Sequence, residues 1–114
     1  MDYIVIAMGR IKAALEEFPD GLTYDITAAE IVATGYSVGL EESGTATNYS
    51  GPYFCIQHSL SHYHRVSCWF NPIYGHLQYR SVRLFSDLDK AKKFAWRQKQ
   101  EAIFCNATKQ VIYL

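Results

Sequence analysis

The sequence predicts an α+β fold in the order ααβββαβ. Two N-terminal helices precede a three-stranded antiparallel meander, a long helix packed on the sheet and a C-terminal strand. Three observations carry that prediction. Ile4, Met8, Ile11, Leu15 and Phe18 recur at spacings of 4, 3, 4 and 3, which is one helical face. Residues 53–85 alternate apolar and polar positions between turn signals. Ser86-Asp87-Leu88-Asp89 then opens a second long helical pattern with a cap and an acidic first turn.

A chain of 114 residues has the size of one globular domain, 1–114, and can bury a core without a metal or a disulfide. No apolar run approaches the ~18 residues of a membrane span, and the N-terminus lacks a signal-peptide layout. Three unevenly spaced cysteines read as reduced thiols, so a cytoplasmic setting is the expectation. Net charge is zero, but residues 1–60 hold two basic and eight acidic side chains while residues 61–114 hold nine basic and three acidic. That division suits a charged partner or a head-to-tail homodimer, unless the halves interleave in space.

Asp2 caps the first helix, residues 2–18, and Pro19-Asp20-Gly21 ends it. A strand at residues 3–6 is the competing reading, because Tyr, Ile and Val favour strands. Thr27-Ala28-Ala29-Glu30 has the capping-box form, which predicts a short helix over 28–34 ending at Gly35. Residues 28–35 offer no Arg, Lys, Asn or Gln, which disfavours a helix-turn-helix reader of bases. Residues 36–52, rich in Gly, Ser, Thr, Asn and Tyr, read as a long loop or a loose hairpin between 36–40 and 45–49.

In the meander, a three-residue loop at Ser61-His62-Tyr63 gives a coherent apolar face. It sets Leu60 opposite His64, His58 opposite Val66, Ile56 opposite Cys68 and Phe54 opposite Phe70. Cys55 and Cys68 then point to opposite faces and cannot be bridged. Residues 71–75 make the next turn, and a bulge near Arg80-Ser81 would bring Leu77, Tyr79, Val82 and Leu84 to one side. The last helix runs to about Phe104 or Cys105, burying Leu88, Ala91, Ala95, Gln98 and Ala102. Lys109 to Leu114 reads as the final strand.

Four chemistries are worth weighing. Cys55, His58, His62, His64, Cys68 and His76 are zinc-type ligands, but their spacing fits no standard finger. The strand register leaves His58, His64 and His76 as the alternative metal set. Cys68 with His64 lies too far along one strand for direct proton transfer, and no phosphate loop or nucleophile elbow occurs, so no catalytic residue and no cofactor is assigned. Arg83, Lys90, Lys93 and Arg97 form the basic stripe that a nucleic-acid reading would use, against a neutral overall charge.

Nine tyrosines and two tryptophans exceed what one small core requires, and such residues dominate binding hot spots. The leading expectation is therefore a non-enzymatic protein-binding module acting on a protein or nucleoprotein complex. Tyr36, Tyr49 and Tyr53 would anchor the partner, with Glu41 and Glu42 steering encounter. Small motif-poor domains of this make-up include stoichiometric inhibitors and adaptors, among them phage or mobile-element proteins that block host defence nucleases.

Overall fold

The computed structural model describes residues 2–43, 50–71 and 75–114. Helix α1 (Tyr3–Glu17) leads into strands β1 (Gly21–Asp25), β2 (Glu30–Ile31) and β3 (Tyr36–Gly39). A 3-10 turn (Glu41–Ser43) and helix α2 (Ser50–Leu60) come next. The chain ends with β4 (Arg65–Asn71), β5 (His76–Phe85), helix α3 (Leu88–Arg97), β6 (Ala102–Cys105) and β7 (Gln110–Tyr113). The α+β class holds, but the strands form one seven-stranded antiparallel sheet in the order β2-β1-β4-β5-β3-β6-β7, larger than a three-stranded meander.

The sheet is tightly curled. In a flat sheet β1 and β3, separated by β4 and β5, would lie about 14 Å apart. Instead Thr23 Oγ1 on β1 shares a hydrogen bond of 2.8 Å with Ser37 Oγ on β3 and one of 2.6 Å with Ser67 Oγ on β4. Asn106 Nδ2 donates to Ser37 Oγ at 2.9 Å. The Trp69 and Phe104 rings, from β4 and β6, stack across the same concave face at 6.5 Å. Small inward residues (Gly21, Thr23, Ser37, Gly39 and Ser67) let the backbones approach. The hydroxyls bond one another, because a buried hydroxyl without a partner is costly.

Among the described residues, three helices cover the convex face. Ile4, Ala7 and Ile11 of α1 and Ile56 of α2 pack on Leu22, Tyr24 and Val66. Ala91, Phe94 and Ala95 of α3 pack on Val38, Leu40 and Ile103 in a second cluster. Asp2 accepts from the backbone N–H of Ile4 at 2.9 Å, so the predicted helix over 2–18 and its cap are present. The strand alternative for 3–6 is excluded.

Several expectations are corrected. The helix over 28–34 is absent: Asp25 Oδ1 accepts from Ala28 N at 2.9 Å, which turns the chain into the β1–β2 hairpin. Residues 36–39 are a central strand paired to β5 and β6, while residues 45–49 of the loose hairpin lie outside the described residues.

Residues 53–60 are helix, not strand. Pro52 sits in the first turn, where its missing N–H costs nothing. Pro52, Cys55, Ile56 and Ser59 form the buried face at helical spacing, while Phe54 is 64% exposed. The 61–63 hairpin and its register therefore do not exist. His64, at φ 62°, instead donates its N–H to Ser59 O and ends the helix. Cys55 and Cys68 are not on opposite faces: α2 carries Cys55 over the convex face, where its thiol bonds Tyr79 O at 3.5 Å, and Cys68 pairs with Tyr79 in the ladder.

The β4–β5 ladder runs without a bulge from Arg65↔Val82 to Asn71↔His76. Both rows of β5 are covered, one by helices and one by the curl, so none is needed. Helix α3 stops at Arg97: Lys99 takes φ 54° and Gln100 N donates to Ala95 O, which frees residues 102–105 for β6. The acidic and basic halves interleave, since β4 and β5 lie between β1 and β3. Asp25–Arg65 at 3.2 Å and Glu41–Lys99 at 3.4 Å join the two halves.

Candidate functional site

A concavity between α1, α2 and β5 holds about 790 Å³, within the usual range of ligand pockets. Val5, Met8 and Leu15 line it from α1, Pro52 and Ile56 from α2, and Leu77 and Tyr79 from β5. It exists because α1 buries its Ile4, Ala7 and Ile11 edge fully but its Met8 and Leu15 edge only in part. Gly9 also lines the groove and leaves room there: a Cβ built on it meets nothing within 4 Å. Lys12 and Glu16, one helical turn apart on α1, complete the lining. Exposed Tyr3, Val5 and Phe54 lie on the same two helices. The spacing of Ile4, Met8, Ile11, Leu15 and Phe18 had marked this face as core. That part of it stays open is a tertiary outcome.

The residues singled out from sequence are dispersed. Tyr36 packs beside the second cluster, and Tyr53 packs against the first. Glu41 and Glu42 are exposed on the 3-10 turn, and Tyr49 lies outside the described residues. Of the basic stripe, Lys90, Lys93 and Arg97 are exposed on α3. Arg83 is held among aromatic rings, with its guanidinium carbon 5.1, 4.8 and 5.1 Å from the centroids of Tyr63, Phe85 and Phe94. The histidine set is not assembled as His58, His64 and His76. The diagonal approach of His58 to His64 required a strand; His58, on α2, instead faces His62 in the turn that follows the helix. Burial, and then the neighbouring His62, push the His58 pKa down against the opposing pull of Glu42, which favours the neutral ring.

The thiols divide sharply. Burial pushes Cys68 up to about 12, and burial also raises Cys55. Thiols so protonated are poor nucleophiles. Cys105 is lowered instead, chiefly by the Thr108 hydroxyl, with the Thr108 and Ala107 N–H groups and Lys109 adding to it against slight burial. At pH 8 Cys105 is expected to react with a thiol reagent first. Peptide mapping should find Cys55 and Cys68 unlabelled until denaturant is added, and equal labelling of all three would contradict this placement.

No protein-family model, curated protein or solved structure matches the chain. Among the described residues no helix is long and apolar enough to cross a membrane. Fold and groove together define a small curled-sheet α+β protein with an open apolar trough on its helical face.

Proposed function

We propose that this protein is a non-enzymatic binding module, a stoichiometric inhibitor or adaptor, that takes an amphipathic helix of a partner protein into the α1–α2 groove. The observation behind this reading is the groove: apolar walls on three elements, open to solvent, with charges at Lys12 and Glu16. Helix-in-groove recognition uses anchors at i, i+3, i+4 and i+7 on the incoming helix. Lys12 and Glu16 would pair with an acidic and a basic residue spaced one turn apart on it, and so set its direction.

Gly9→Leu supplies the test. The site has room for a side chain and leucine favours helix, so the fold is expected to be kept while the groove is filled. A partner retained by the wild type after nuclease treatment should lose at least about tenfold in affinity with Gly9→Leu, roughly 1.4 kcal/mol. Unchanged affinity would refute the groove. Loss of the partner on nuclease treatment would move the contact to Lys90, Lys93 and Arg97 on α3.

A further inference from the structure

The geometry points to a site for a divalent transition-metal ion of the zinc type, held by His58, His62 and Glu42. One donor atom from each residue lies within 4.8 Å of the others. Nε2 of His58 and Nε2 of His62 stand 3.8 and 3.7 Å from Glu42 Oε2. Tetrahedral zinc with bonds of ~2.0–2.1 Å needs its donors roughly 3.4 Å apart. Closing the carboxylate by a few tenths of an ångström and tilting the two near-parallel rings so that their Nε2 lone pairs converge on one point reaches that spacing.

Three features make this more than proximity. The two rings sit one helical turn apart at the end of α2, stacked at 3.8 Å with 9° between planes, so both Nε2 edges face the same carboxylate. His62 Nδ1 lies 2.8 Å from His58 O. A carbonyl only accepts, so Nδ1 carries the hydrogen and Nε2 keeps its lone pair, the arrangement by which metal-binding imidazoles are usually oriented. Both ring nitrogens of His58 are buried and have no hydrogen-bond partner among the described residues. Buried polar atoms are seldom left so, and an ion on Nε2 would satisfy one of them.

The donor set selects the ion. Two imidazoles and one carboxylate suit zinc, cobalt, nickel or copper, whereas calcium and magnesium require oxygen ligands. Three protein ligands leave a tetrahedral position for water or for a fourth donor. The ion would also tie the 3-10 turn after β3 to the end of α2.

The test uses the full chain, purified without a histidine tag and stripped with chelator, titrated with Zn²⁺. One ion per chain is expected, and Co²⁺ should give the intense visible absorption of a tetrahedral site. His62→Ala and Glu42→Gln change exposed side chains, so folding should be kept, as circular dichroism will check. Each should weaken binding at least about tenfold. His64→Ala and His76→Ala should bind as the wild type does. Substoichiometric zinc overturns the site, as does wild-type affinity in His62→Ala and Glu42→Gln, or equal weakening by His64→Ala and His76→Ala. The groove plays no part in this measurement, so Gly9→Leu should bind zinc normally whatever becomes of the partner.

Discussion

Phe104→Ala is expected to cost about 3–5 kcal/mol of folding stability, a large share of the ~5–15 kcal/mol a domain of this kind has. Phe104 is 1% exposed and lies on the concave face of the sheet, stacked on Trp69. Small residues of β1, β3 and β4 share that face with Arg80, Val82 and Leu84 of β5. Thr23, Ser37, Ser67 and Asn106 are locked in hydrogen bonds and cannot slide in to fill a void. The cavity would therefore stay open, the condition under which large-to-small substitutions cost most. Chemical denaturation followed by fluorescence is the measurement. Trp69 should report the change through its emission, while Trp96→Ala, at a side chain 62% exposed, should stay within about 0.5 kcal/mol. A loss below about 1 kcal/mol for Phe104→Ala would mean that the curl is looser than described.

Gly21→Ala should be comparably severe, for a different reason. Gly21 opens β1 at φ 141°, where a side chain adds strain of about 1–3 kcal/mol. A Cβ there would also stand 2.6 Å from Cys68 O and 2.8 Å from Trp69 Cα. Those atoms belong to the β4 backbone, so relief requires β1 and β4 to part where Leu22 pairs with Cys68. Gly9→Ala is the matched control. Gly9 is an exposed helical position with nothing within 4 Å of its Cβ, so the same chemical change should raise stability by roughly 1 kcal/mol. Thermal melts of the two variants should move in opposite directions, and a shift of the same sign would refute the account of one of them.

The groove could not be read from the sequence, though half of its wall was. The apolar stripe of α1 was legible because helical spacing is a local property, but whether a neighbour covers the whole stripe is not. For the metal candidate the residue types were visible and the partners were not. The spacing His58-x3-His62 makes a ligand pair at the end of a helix, whereas the alternation over residues 53–60 reads as a strand. Short apolar runs fit both periods. Pro52 and the spacing of Pro52, Cys55, Ile56 and Ser59 were the signal that would have turned the assignment. Glu42 joins them through tertiary packing alone.

Local pattern was enough for α1 with its Asp2 cap, for β4, β5 and β7, for the start of α3, and for the α+β class. In each, a cap, a period or a turn residue acts within a few positions of itself. Tertiary structure decided the rest. Helix α3 gave up residues 102–105 because Ile103 and Phe104 gain more in the sheet than in a helix extended past the polar run Gln98 to Glu101. Residues 36–39 became a central strand because β5 and β6 offered both edges. Gly21, Thr23, Ser37, Gly39 and Ser67 resemble loop composition when read along the chain. They form one concave face only when β1, β4 and β3 are brought together, since backbone pairing at a distance in sequence carries no local mark.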